Sequence, residues 1–132
     1  MSVPENPWFF QAEDDLKMAK LAFANDFYSQ TCYHVSQSAE KALKSIIIDL
    51  GELPPKTHAL NRLKGMLYQL GLHTSDLEDL KLNFLIRMHT NTRYPSEDLP
   101  SVQLFDQSDR EECLEIAEKV ISFTRTMRKG DG

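Results

Sequence analysis

The chain has 132 residues, enough for one hydrophobic core but not for two. Its 41% hydrophobic and 27% charged content exclude a disordered or fibrous chain, and its formal net charge of −5 argues against a general nucleic-acid binder, whose hold on phosphate needs a positive surface. No apolar run approaches the roughly 20 residues a membrane span needs, and the N-terminus lacks a signal-peptide pattern, so no membrane association and a cytoplasmic location are expected.

Asn6-Pro7 reads as an N-cap followed by proline at the first helical position, where a missing N–H costs nothing. Phe9, Ala12, Leu16, Ala19 and Phe23 then recur at helical spacing, and this first helix should end near Asn25-Asp26. The next stretch, Cys32 to Leu50, is the element around which the rest is arranged. Cys32, Val35, Ala39, Ala42, Leu43, Ile46 and Leu50 form one apolar stripe, while His34, Gln37, Lys41 and Lys44, about half a circle away, form a polar one. That second stripe is free to face solvent or a partner, and a plain solvated face is its simplest reading.

Gly51 should close this helix in the left-handed conformation, and Pro54-Pro55 stiffens the linker that follows. Thr57 is the expected cap of a third helix with a buried row at Leu60, Leu63, Leu67 and Leu70, ended by Gly71. Thr74 or Ser75 opens a fourth, with Leu77, Leu80, Phe84 and Met88 as its stripe and Pro95 enforcing its end. Residues 96–108 read as a connecting loop. Ser108 with Glu111 then opens a last helix carrying Cys113, Ile116, Ala117, Val120, Phe123 or Thr124, and Met127. The pattern predicts an all-α, antiparallel up-and-down bundle of four to five helices, one domain over residues 1–132 with its core at about 8–128.

Chemistry is sparsely marked. His34, His58, His73 and His89 are scattered, no HExxH or ExxH occurs, and Cys32 and Cys113 both fall on apolar stripes as buried free thiols. No GxGxxG or GKS/T loop is present, so neither a metal nor a cofactor is expected. Positive charge does gather between Lys41 and Lys64. The informative spot is Arg87 to Pro95: if the fourth helix reaches Asn91, Arg87 and Asn91 share a side with Phe84 and Met88. Arg87 there is either a structural ion-pair partner of Glu40 or another acid, or, with Arg93, a phosphate contact beside a stacking Tyr94.

Trp8 with Asp15-Leu16 and Ala19, the run Gln37-Ser-Ala-Glu-Lys-Ala-Leu-Lys44, Thr57-His58 with Leu60 and Leu63, and Thr92-Arg-Tyr-Pro95 together resemble the HEPN domain family over about residues 8–128. That resemblance implies a helical bundle, usually a homodimer, associated with nucleotide or RNA binding and often paired with a minimal nucleotidyltransferase in toxin–antitoxin modules. The family's ribonucleases carry an arginine, four to six intervening residues and a histidine. Here the positions after Arg87 are Thr92, Arg93 and Tyr94; after Arg93, Asp98, Leu99 and Pro100; after Arg62, Leu67, Tyr68 and Gln69. None is histidine, so no imidazole stands where the family moves the ribose proton, and the chain looks like the non-catalytic branch ending its fourth helix in TRYP.

The expected function is therefore a binding module that holds a nucleotide or RNA through Lys41, Lys44, Arg87, Arg93 and Tyr94. A protein-interaction adaptor ranks second. A metal-independent ribonuclease using His34, or Arg93 with His89, ranks third.

Overall fold

A computed structural model describes residues 6–78, 82, 85 and 107–128. Among them are five helices and no strand: α1 (Pro7–Ala24), α2 (Tyr28–Asp49), α3 (Leu60–Gln69), α4 (Ser75–Glu78) and α5 (Gln107–Arg128). The all-α expectation holds. Leu82 and Leu85 are helical and buried beyond α4, where Leu77 is also buried as expected; Leu80, Phe84 and Met88 lie outside the described residues.

Asn6 starts α1 as the sequence predicts. Its Oδ1 accepts from the backbone N–H groups of Trp8 (3.0 Å) and Phe9 (3.4 Å), filling donors that the first turn leaves without partners. The same side chain also reaches across the bundle, its Nδ2 donating to the Ser45 carbonyl (3.0 Å) and to Asp49 (2.9 Å) at the far end of α2. Because it is buried and joins two helices, Asn6→Ala should cost about 2 kcal/mol, the upper end for a capping residue, as read by denaturant unfolding. A cost under about 0.5 kcal/mol would show that water replaces all four bonds.

Three helices end in the same way. Phe27 N–H bonds Ala22 C=O and Asp26 N–H bonds Phe23 C=O after α1; Glu52 to Ile47 and Gly51 to Ile48 repeat the pattern after α2, and Leu72 to Leu67 and Gly71 to Tyr68 after α3. The motif needs a left-handed residue, supplied by Gly51 (φ 83°) and Gly71 (φ 95°), and in the hairpin turn by Asp26 (φ 62°), an acid that tolerates this region better than most side chains. At the start of α3 the expectation is corrected. Thr57 Oγ1 accepts from Ala59 N–H (3.1 Å), a turn two residues long, and the cap position is Ala59, which has no side-chain bond to give.

α1 and α2 form an antiparallel hairpin whose close contact is set by alanine: Ala12, Ala19, Ala39 and Ala42 are fully buried, and Ser38 Oγ donates to the Ala12 carbonyl at 2.7 Å. α5 lies against both. Arg125 pairs with Glu13 and Lys20 with Glu118, so α5 runs antiparallel to α1; Arg128 pairs with Asp49 while Cys113 hydrogen-bonds Cys32, so it runs parallel to α2. That thiol bond, and then burial, hold the Cys113 thiol far above the usual range. Three stripe positions differ from the sequence reading, the first being Leu70, which caps the end of α3 and is only partly buried. Ile47 is buried and Leu50 exposed, because Leu50 caps α2; Ala22 is buried where Phe23 is only partly so.

Candidate functional site

Two buried carboxylates organise the polar side of the α1–α2 hairpin. Asp15 stands three residues after Ala12 and four before Ala19, a spacing that places it on the inward edge of α1. The alanines bring α2 so near that His34 and Lys41, two turns apart on one stripe of α2, both reach the same carboxylate from either side. His34 Nδ1 lies 2.9 Å from Oδ1 and Lys41 Nζ 2.8 Å from Oδ2. A ring nitrogen facing a carboxylate oxygen must donate, so the proton sits on Nδ1 and Nε2 carries the lone pair when the ring is neutral.

The second carboxylate is Glu40, three residues before the core residue Leu43. Its Oε2 takes Lys44 Nζ at 3.1 Å from the next turn of the same helix, and its Oε1 takes His58 Nδ1 at 2.8 Å from the α2–α3 connection. Glu40 and Lys44 are both only 6% exposed, a charge pair almost out of water, and Lys44 Nζ also sits 5.6 Å from the centre of the Trp8 ring.

This geometry corrects the reading of the polar stripe as a free face. Lys44 is enclosed by Glu40 and Trp8, and His34 and Lys41 are partly buried and committed to Asp15, because α1 folds back over this side of α2 as well as over the apolar side. Of the residues predicted to bind a nucleotide, Lys41 is paired with Asp15 and Lys44 with Glu40, in two separate clusters that both border Trp8. Arg87, Arg93 and Tyr94 lie outside the described residues, as does His89. The described partners of Glu40 are Lys44 and His58.

Sequence reasoning did not single out Trp8, Gln11, Asp15 and Glu40 as site residues. A signal existed for the two acids: each occupies a helical position in register with buried neighbours, where an unpaired carboxylate would be costly and a partner is required.

Between the start of α1 and the middle of α2 is a depression of about 220 Å³ bordered by Pro7, Trp8, Gln11 and Lys41. Trp8 is 37% exposed there, so an aromatic face, a side-chain amide and an ammonium meet at one concavity. Among the described residues no group of three or more His, Cys, Asp or Glu side chains is placed to hold a metal ion, and no helix is long and apolar enough to cross a membrane.

The comparisons with known proteins agree with this architecture. The protein named Putative toxin MJ1304, from Methanocaldococcus jannaschii, is 27% identical over 128 residues, covering 90% of this chain and 84% of its own length. Two crystal structures share the fold at 24% identity and a TM-score of 0.72: TT1696 from Thermus thermophilus, over 90% of this chain and 94% of that one, and ST0689, an archaeal HEPN homologue, over 92% and 95%. The family model described as HEPN domain matches residues 6–127, nearly the whole chain. With its helical bundle and that match, the chain belongs to the HEPN domain family.

Proposed function

We propose that this protein is a nucleotide- or RNA-binding HEPN module that works as a homodimer beside a minimal nucleotidyltransferase, in a toxin–antitoxin-like pair. The observation that carries the reading is the depression at Trp8. Its volume of about 220 Å³ suits one base, which would stack on the half-exposed indole while the Gln11 amide meets its edge and Lys41 meets the phosphate. Asp15 tempers the Lys41 charge at 2.8 Å, so the site favours a mononucleotide or a short single strand over a long polyanion, in keeping with the net charge of −5. Arg87, Arg93 and Tyr94 are proposed, on their chemistry alone, as the remaining phosphate and base contacts. The likeness to a protein named as a toxin supports the biological setting.

The chain contains one tryptophan, so its fluorescence reports directly on this site. Adding AMP or a short single-stranded RNA should quench Trp8, Lys41→Ala should weaken that response about ten-fold, as loss of one charge-assisted bond does, and the RNA should be recovered uncut on a gel. Unchanged fluorescence at saturating nucleotide, in protein that remains folded, would sink the reading. Phe10, Leu21 and Phe27, three large apolar side chains each about 60% exposed, favour protein interaction as the second reading, whose mark is self-association without quenching. Cleaved RNA would point instead to His34, the carboxylate-oriented imidazole.

A further inference from the structure

Towards the hairpin turn, the groove between α1 and α2 opens into a second and larger cavity, of about 430 Å³. Its apolar lining is Met18, Leu21 and Ala22 from α1 and Phe27 from the turn; its polar lining is Asn25, Gln30 and His34. Met18, Leu21 and Phe27 are 46%, 59% and 59% exposed, a concentration of uncovered apolar surface around one concavity. The volume fits a fused ring system, whereas a helix about 10 Å across would rest on the rim.

The polar groups define what such a ring must carry. Asn25 Nδ2 already donates to the Leu21 carbonyl at 2.9 Å, which leaves its Oδ1 to accept. His34 Nδ1 is committed to Asp15, so the nitrogen left for a ligand is Nε2, an acceptor in the neutral ring. Among the described residues no lysine, arginine, aspartate or glutamate lines the cavity, and the Asp15 carboxylate that holds His34 is itself paired with Lys41 at 2.8 Å. An anion would find no countercharge in this lining, and a cation would face an imidazole and an apolar wall. Two acceptors above an apolar floor, with the Gln30 amide beside them able to donate or accept, call for an uncharged planar molecule with a donor on its edge.

We propose that this cavity binds an uncharged heteroaromatic molecule bearing a ring N–H, stacked among Met18, Leu21 and Phe27 and donating its hydrogen bond to His34 Nε2. Asp15 acts as the positioning residue that holds the ring in the Nδ1–H tautomer, in which Nε2 is the acceptor of the neutral imidazole. The site is separate from the Trp8 depression and does not depend on whether that depression takes a base.

The test uses the full chain labelled with carbon-13 in its methionine methyl groups, titrated with indole and with 1-methylindole, which has the same shape but no N–H. The Met18 resonance, assigned with Met18→Leu, should shift on adding indole, while that of Met66, on α3 and not among the residues lining the cavity, stays in place. Indole should bind about five-fold tighter than 1-methylindole, the effect of one net hydrogen bond, and His34→Phe should erase that preference. Leu21→Trp, at an exposed position that tolerates change, should narrow the cavity and weaken both ligands, which keeps the proposal testable if His34→Phe does not fold. A Met18 signal that does not move at saturating indole overturns the proposal. So does equal affinity for the two compounds in the unmodified protein, which would leave only an apolar surface patch.

Discussion

Glu40→Ala should cost about 3–5 kcal/mol of unfolding free energy, the loss seen when one partner of a buried ion pair is removed. For a domain of this size that is a fall in melting temperature on the order of 10–20 °C. The expense lies in what remains. Lys44 is 6% exposed and its described acceptor is Glu40, so the substitution strands an ammonium against Trp8 with no carboxylate to meet it, and His58 loses its acceptor as well. The double replacement Glu40→Leu with Lys44→Met removes both charges and should recover most of the loss, since a well-packed apolar pair replaces a buried ion pair at little cost. A double-mutant cycle by chemical denaturation measures this. A single Glu40→Ala loss below about 1 kcal/mol would mean that Lys44 swings out to water.

Leu43→Ala should cost about 3–4 kcal/mol, through both lost transfer energy and the cavity left behind. Leu43 is fully buried on the α2 face that meets the rest of the core, and its neighbours on α2 are themselves fully buried, leaving little room for the site to collapse. Leu43→Met, which keeps the volume, should cost less than about 1.5 kcal/mol. Denaturant midpoints at an unchanged slope distinguish a true loss of stability from a change in the unfolded state. Equal effects of the two substitutions would show that the packing around this position is loose.

Much of this was legible in the sequence, because the relevant signals are local. Asn6-Pro7, Gly51 and Gly71 mark helix ends through backbone geometry that needs no distant partner, and the three-and-four spacing of Val35, Ala39, Ala42, Leu43 and Ile46 marks the core face of α2 directly. The polar stripe misled for a physical reason. Whether Lys44 meets water depends on Trp8 and Glu40 closing around it, and whether Lys41 is free depends on Asp15, twenty-six positions earlier in the chain. Helical periodicity fixes which side of α2 a lysine occupies but not which other helix covers that side. Ala22 in place of Phe23 is a smaller instance: near the end of α1 the chain turns toward α2, and the small residue takes the tight position.

Asp49 carries a consequence for topology. One of its oxygens accepts from Asn6 at 2.9 Å and the other from Arg128 at 2.8 Å, so a single carboxylate holds the first and last of the described residues. Asn6 and Arg128 therefore meet at one pole of the bundle, with the α1–α2 turn at the opposite pole. A short linker between the neighbourhoods of Asn6 and Arg128 would add little closure entropy, and new ends could be opened at an exposed tip such as Leu53 without crossing the core. Asn6 and Arg128 thus both sit at the pole of Asp49, away from the His34 cavity beside the turn.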